Sequence, residues 1–349
     1  MLYAVIMAGG AGERLWPKSR AKSPKHTLNI TGRDTLIGLT IKRARRIVPA
    51  SRIMIITARG QAALVRRSAP YISRRNIIAE PFGRNTAACI AVAGAVISRR
   101  DPGAVMAVMP ADHVVKNENR FVSALEKAVD FARGRDALVT LGIKPEHPAT
   151  GYGYIKVQNS KFKNQNLAGV MRVDSFEEKP DMRAAERYVK SGRYYWNSGI
   201  FVWRADAIMS AIKRHMPALH KAAGRIAGHL SAGGDKDAIR DIYRGLDSIS
   251  IDHGILEKAK NIFVLPTACE WSDLGSWKSI KASRGLVVSL DTSDTTIITS
   301  GKHLVAALGL KDIVIVHTDD ATLVCDKNRA EDIKALLSII KKKGLKRYT

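Results

Sequence analysis

Apolar and polar positions follow different rhythms in different parts of the chain. Leu2 to Met7 is an almost unbroken apolar run that ends in a glycine-rich loop, and it reads as a buried strand. Leu36, Ile37, Thr40, Ile41, Ala44 and Ile47 recur at the helical period, which predicts a helix that Asp34 can cap. Ile53 to Thr57 and Asn76 to Ala79 are short strands by the same reading. Thr86 to Ser98 is alanine-rich and apolar nearly all round, which predicts a buried helix. A strand at Ala104 to Met109 and a helix at Phe121 to Ala132 follow. Such alternation builds an α/β domain with a mixed, mostly parallel sheet and helices on both faces. Ligands bind these sheets beyond the carboxyl ends of the strands. Ala8 to Lys18 and Pro110 to His113 each follow a strand directly, so both are expected there.

From about residue 151 to 280 the pattern mixes strands at Gly153 to Val157, Val170 to Phe176 and Gly199 to Trp203 with helices at Met182 to Lys190 and Ala205 to His215. After Ser283 the texture changes. Apolar pairs recur at Val287-Val288, Ile297-Ile298, Leu304-Val305, Val314-Ile315 and Leu323-Val324, separated by polar or glycine residues. Their spacing of roughly eight to ten residues predicts a small β module of short rungs. A terminal helix at Arg329 to Ile340 closes it. The expected domains are therefore 1–282 and 283–349.

Composition narrows the classes. Hydrophobic residues are 46% and charged residues 26% of the 349, which suits a globular fold with a large core. No run approaches the roughly 20 apolar residues of a membrane span, and MLYAVIMAGG lacks the basic start of a signal peptide. Cys89, Cys269 and Cys325 are far apart, odd in number and without metal-ligand spacing. A cytoplasmic protein that makes no membrane contact is expected. The net charge of +25 points to anionic partners, but the Lys and Arg residues are spread along the chain. Only Lys341, Lys342, Lys343, Lys346 and Arg347 form a dense run. Aromatic residues are only 6% and scattered, so no nucleic-acid partner is expected.

The chemistry-bearing residues begin at Gly9-Gly10-Ala11-Gly12-Glu13-Arg14, with Lys25 eleven residues beyond Arg14. Glycines after a buried strand let backbone N–H groups approach a phosphate. Leu15 stands where a dinucleotide fingerprint needs its third glycine, and no P-loop Gly-Lys-Ser/Thr follows. A glycine turn with one fixed cation suits a triphosphate. In Met109-Pro110-Ala111-Asp112-His113, Asp112 follows a strand end, where a carboxylate can hold a hard divalent cation bridging phosphate oxygens. With no second acid two residues on, the best partner is Asp273 in Glu270-Trp271-Ser272-Asp273-Leu274-Gly275-Ser276-Trp277. His113 is as readily a satisfied, non-catalytic histidine as a functional one.

The segment MAGGAGERLWPKSRAKSPKH, Met7 to His26, resembles the signature of sugar-nucleotide pyrophosphorylases, and among them the mannose-1-phosphate guanylyltransferases. The resemblance implies a Rossmann-like nucleotidyltransferase domain. It also implies that Ala8, Gly9, Gly10 and Gly12 wrap the nucleotide phosphates while Arg14 and Lys25 contact them. Glu13 replaces the usual Thr and His26 the common Gln, so the Glu13 side chain is expected to point away from the phosphates. Glu80-Pro81-Phe82-Gly83-Arg84-Asn85-Thr86-Ala87-Ala88 resembles the guanylyltransferase E-P-x-x-R-N-T-A stretch, which implies that Glu80, Arg84, Asn85 and Thr86 lie beside a guanine. Thr150 to Ile155 resembles T-G-Y-G-Y-I, Phe176 to Pro180 F-x-E-K-P, and Trp196 to Phe201 W-N-S-G-[IM]-F. Together they imply a sugar-phosphate pocket of Gly153, Tyr154, Glu178 and Asn197, with Lys179 on the sugar phosphate. Ser250-Ile251-Asp252 is a weaker match that adds Asp252.

The resemblance covers nearly the whole chain and implies Mg²⁺ held by Asp112 and Asp273, with Asp112 also near the nucleotide. It implies GTP and mannose 1-phosphate as substrates, a homodimer through the β module, and no isomerase activity, for which longer members carry a further domain. No Ser-His-Asp or Cys-His arrangement is present, and none is needed. A sugar phosphate is already largely dianionic at neutral pH, its second pKa being about 6. Catalysis then rests on alignment and positive charge. The same chemistry with UTP or dTTP and glucose 1-phosphate is the alternative. A non-catalytic regulatory relative is disfavoured because the phosphate and metal residues are all present.

Overall fold

The computed structural model describes residues 1–10, 12–30, 32–158, 169–280, 283–300 and 302–349. Ala11 of the glycine loop, and residues 281–282 at the sequence-drawn domain boundary, lie outside the described residues. In chain order the first half holds β1 (Leu2–Ala8), α1 (Leu36–Ala44), β2 (Ile53–Ala58), α2 (Ala62–Ser68), β3 (Ile77–Glu80), α3 (Asn85–Arg100), β4 (Val105–Pro110), β5 (Val114–Val115), α4 (Glu118–Arg133) and β6 (Leu138–Ile143). The second half holds β7 (Tyr154–Val157), β8 (Met171–Glu177), α5 (Met182–Ser191), β9 (Tyr194–Arg204), α6 (Ala205–His215), α7 (Pro217–Ser231), α8 (Lys236–Arg244), β10 (Ile262–Thr267) and β11 (Trp271–Ser272). The five apolar pairs become β12 (Leu286–Leu290), β13 (Thr296–Thr299), β14 (Leu304–Leu308), β15 (Ile313–His317) and β16 (Thr322–Asp326), followed by α9 (Ile333–Lys342). Helix α1 starts two residues after Asp34 and stops at Ala44, short of Ile47. The last helix starts four residues later than expected because Lys327–Asp332 forms a 3₁₀ turn instead.

Internal contacts divide the chain into two compact units. The first comprises Met1–Gly9, Gly38–Ala111 and Val115–Trp271, and the second Gly10–Ile37, Asp112–Val114 and Ser272–Thr349. The glycine loop and Asp112 are thus grouped with the carboxy-terminal residues, and the packing shows why. Leu15, Trp16, Leu28, Ile30 and Leu36 are buried in one core with Trp277, Val314, Ile333 and Leu337.

The first unit is a nine-stranded mixed sheet in the order β3-β2-β1-β4-β9-β6-β10-β8-β7. Pairing is parallel through β3, β2, β1 and β4, and again between β6 and β10, while β9 runs antiparallel between β4 and β6. Strands β1, β2, β4 and β6 are near-continuous Val, Ile, Leu, Met and Ala, as strands covered on both faces must be. Every residue of α3 from Ala87 to Ile97 is buried, since it packs on the sheet and against α6 and α7. Basic pairs in the last turns of α2 and α3, Arg66-Arg67 and Arg99-Arg100, complement the helix dipoles and absorb part of the positive charge.

In the second unit β12 pairs parallel with β14, and β13 with β15, while β16 pairs antiparallel with β15. Ile297, Ile298, Val314, Val316 and Leu323 face inward. Leu286, Val288 and Leu290 of β12 and Leu304 and Leu308 of β14 face out, each more than half exposed. Among the described residues no helix is long and apolar enough to cross a membrane.

Candidate active site

In the second unit the chain leaves β1 through Gly10 (φ +88°) and Gly12 (φ +68°) and enters a 3₁₀ turn at Glu13–Leu15. A Cβ on Gly12 would lie 2.3 Å from Cβ of Lys25, so only glycine lets the two ends of the signature pack together. Lys25 is 7% exposed. Its ammonium donates to Asp112 Oδ2 at 2.7 Å and to the main-chain oxygen of Asp273. Burial pushes the Asp112 carboxyl up, but Lys25 and the neighbouring imidazoles outweigh that and hold it below its usual range. The Asp273 carboxylate accepts from the Gly275 N–H at 2.9 Å. The two acids expected to share a metal therefore lie on segments that already grip one cation, the lysine ammonium.

Asp112 and Asp273 each carry hard oxygen donors of the kind magnesium takes; the Asp112 carboxylate lies on the Lys25 ammonium, and Asp273 reaches that ammonium through its main-chain oxygen. Among the described residues no trio of His, Cys, Asp or Glu gathers to hold a metal unaided. Magnesium sites of this kind use one or two carboxylates and complete their shell with phosphate oxygens and water. Arg14 pairs through Nε with Glu331 Oε2 at 2.8 Å, and Glu13 with Lys341 Nζ at 3.1 Å. The Glu13 carboxylate is thereby held by α9. His26 is 1% exposed, with neither ring nitrogen hydrogen-bonded among the described residues, and burial lowers its pKa to about 4.

In the first unit the residues expected at the sugar converge. The Asn197 amide donates to Asp252 Oδ1 at 2.9 Å, and its oxygen accepts from the Gly199 N–H at 3.2 Å. The buried Thr140 hydroxyl lies 3.1 Å from the same oxygen. The Asn197 N–H donates to the Gly153 carbonyl at 2.8 Å, and a Cβ on Gly153 would stand 2.6 Å from Glu178 Oε2. Asp252 opens a π-helical turn, Asp252–Leu256. Burial, then the nearby Glu178 charge, raises its pKa to about 6. Glu178 also pairs with Lys179 Nζ at 2.8 Å. Tyr154 is fully buried and its hydroxyl accepts from the Ala149 N–H at 2.9 Å, so what it offers a ligand is its backbone.

The third motif, also in the first unit, is fastened to the last turn of α8 and the segment after it. Glu80 is buried, accepts from the Tyr243 hydroxyl at 3.2 Å, and has its pKa raised to about 7 by that burial. Arg84 donates through Nε and Nη2 to the carbonyls of Tyr243 and Arg244 at 3.0 and 2.9 Å. Asn85 (φ +63°) takes the Thr86 N–H at 2.8 Å, and the Thr86 hydroxyl accepts from the Ile251 N–H at 2.8 Å. Positive φ is costly for residues with a branched or long side chain. Lys179 and Leu274, both at +46°, are the bulkiest described residues to adopt it, and each sits inside a sequence motif.

Residues 3–287 match the nucleotidyl transferase family, and residues 285–339 match the MannoseP isomerase/GMP-like beta-helix domain. The chain belongs to the nucleotidyl transferase family. It is 36% identical over 360 residues to a mannose-1-phosphate guanylyltransferase of Klebsiella pneumoniae, covering 100% of this chain and 76% of that protein. A mannose-1-phosphate guanylyltransferase of Salmonella typhimurium is 36% identical over 361 residues, with coverage of 99% and 73%. The crystal structure of a mannose-1-phosphate geranyltransferase from Thermus thermophilus superimposes with a TM-score of 0.86 at 30% identity, over 97% of this chain and 99% of that one.

Within this nucleotidyl transferase several structural partners of the motifs were not apparent from the sequence. Thr140 carried a local signal, as the one hydroxyl in the apolar run Leu138–Ile143. Tyr243, Glu331 and Lys341 carried none, because what makes them matter is a partner far away in the chain.

Proposed function

We propose that the chain transfers GMP from GTP to α-D-mannose 1-phosphate, giving GDP-mannose and pyrophosphate. The observation that carries this reading is the convergence of Lys25, Asp112 and the Asp273 segment beside the glycine turn. The relatives named for this activity, matched along nearly all of the chain, support it. A phosphate oxygen of the sugar phosphate attacks the α-phosphorus in line, the bond to the bridging oxygen breaks, and pyrophosphate leaves. No base is required, so the work is alignment and charge.

The N–H groups of Ala8, Gly9, Gly10 and Gly12 and the cations Arg14 and Lys25 take the triphosphate. Glu80, Arg84, Asn85 and Thr86 take the guanine side, and Arg84 and Thr86 act largely by shaping the backbone there. Gly153, Tyr154, Glu178, Asn197 and Asp252 take the mannose, with Lys179 on its phosphate. Asp112 and Asp273 would hold magnesium, with Asp112 also beside the nucleotide; the bound ion would neutralise phosphate oxygens and polarise phosphorus.

The catalytic domain spans residues 1–282 and the β-helix-like domain 283–349. A second copy covers the outward Leu286, Val288, Leu290, Leu304 and Leu308 face, since so regular an apolar ladder is unusual on a monomer. Three free cysteines fit a cytoplasmic setting. The test is a panel of GTP, UTP and dTTP against mannose 1-phosphate and glucose 1-phosphate, scored by pyrophosphate release. GTP with mannose 1-phosphate should lead; a lead for UTP or dTTP with glucose 1-phosphate would overturn the assignment.

A further inference from the structure

The phosphate loop has little means of holding its own shape. Its 3₁₀ turn is three residues long and follows two glycines at positive φ, where the chain loses the most freedom on ordering. Yet each residue from Glu13 to Trp16 is fastened to one distant region of the same unit. Glu13 pairs with Lys341 of α9, 328 positions away. Arg14 pairs with Glu331. Leu15 and Trp16 are buried in the core that contains Ile333 and Leu337. The Trp16 indole N–H donates to the Tyr348 carbonyl at 2.6 Å, while the Trp16 carbonyl accepts from the Trp277 indole at 2.8 Å.

We propose that Glu331 and Lys341 are positioning residues for the nucleotide: Glu331 aims the Arg14 guanidinium, and Lys341 neutralises and restrains Glu13. The inference rests on the reading of this loop as the triphosphate site. Glu331 Oε2 pairs its charge with Arg14 at 2.8 Å from Nε without hydrogen-bond alignment, and the terminal nitrogens make no side-chain hydrogen bond among the described residues. Those nitrogens form the fork with which arginine binds phosphate bidentately. The Glu331 and Lys341 side chains are 56% and 47% exposed. Ion pairs so exposed contribute little to stability. Their effect is therefore on the loop's geometry and local charge. Lys341 also accounts for the acid at position 13: without it, a carboxylate next to Arg14 would repel the incoming triphosphate.

The experiment measures nucleotide affinity by calorimetry, and separate KM values for both substrates, in Glu331→Gln, Lys341→Ala, Glu13→Gln/Lys341→Ala and the neighbouring control Lys342→Ala. Glu331→Gln should weaken triphosphate binding about tenfold, the scale of one oriented charge-assisted contact. KM for the sugar phosphate should stay within about twofold and Tm nearly unchanged, as for any exposed pair. Lys341→Ala should weaken nucleotide binding, and the double variant should recover most of that loss. Lys342→Ala should do nothing. Parental nucleotide affinity in Glu331→Gln and Lys341→Ala would overturn the proposal. So would equal rises in both KM values with a fall in Tm, the mark of a merely structural role. If the parent chain itself binds no triphosphate, the failure lies in the functional reading beneath.

Discussion

The residues proposed for the phosphates, in the second unit, and those proposed for the sugar, in the first, are held in different ways. The phosphate side is cationic and assembled by ion pairs: Lys25 with Asp112, Arg14 with Glu331, Lys341 with Glu13. The sugar side carries two acids: Asp252 is met by Asn197 within a web of neutral groups from Thr140, Gly153 and Gly199, and Glu178 pairs with Lys179. On the proposed function the contrast follows from the ligands. A triphosphate must be met by positive charge, and cations held close together need carboxylates to restrain them until the substrate arrives. A hexose offers hydroxyl donors, which bind best to acceptors fixed in advance and cost no charge neutralisation.

Substitutions can separate the two regimes. The largest effect should come from Asp112→Ala or Asp273→Ala, each of which should abolish turnover while circular dichroism shows the fold intact; full activity in either would remove the metal assignment. Lys25→Ala should cost about 2–4 kcal/mol in kcat/KM, typical of losing a preorganised charge. A rate within threefold of the parent would show that the lysine serves only Asp112. Asn197→Ala should act on the sugar side alone, raising KM for mannose 1-phosphate by about 1–2 kcal/mol equivalent while leaving that for GTP unchanged. A matching rise for GTP would blur the division.

The smallest effect concerns stability. Glu80 has a folded pKa near 7 against an ordinary 4.5, because burial disfavours its charge. Its protonated form is the one the fold accommodates, so stability is full below about pH 4.5 and declines as pH rises through about 7. Glu80→Gln should therefore melt like the parent at pH 4.5 and above it at pH 8. A pH-independent difference in Tm would contradict the buried, protonated carboxyl.

The order of motifs made the family legible in the sequence, and the strong apolar runs made most strands legible too. All five rungs of the β module fell where the apolar pairs stood. What escaped had physical reasons. Helices α7 and α8 are short on continuous apolar pattern, since each buries only a narrow stripe. Residues 10–37 group with the carboxy-terminal residues because Leu15 and Trp16 are buried with α9, a preference written in packing rather than in local sequence. That the Tyr154 ring is turned inward was not legible from its motif, because β7 buries both Tyr154 and Ile155. The positive φ of Lys179 and Leu274 left no mark that could be read in advance, although both mark motif positions.

The central claim is that Asp112 and Asp273 share one divalent ion when the nucleotide is bound. Mn²⁺ is the spectroscopic probe: its paramagnetic resonance signal, titrated with the chain in the presence of GTP, should report one bound ion per chain in the parent. That ion should be lost in both Asp112→Asn and Asp273→Asn. Undiminished Mn²⁺ binding in either variant would contradict the account.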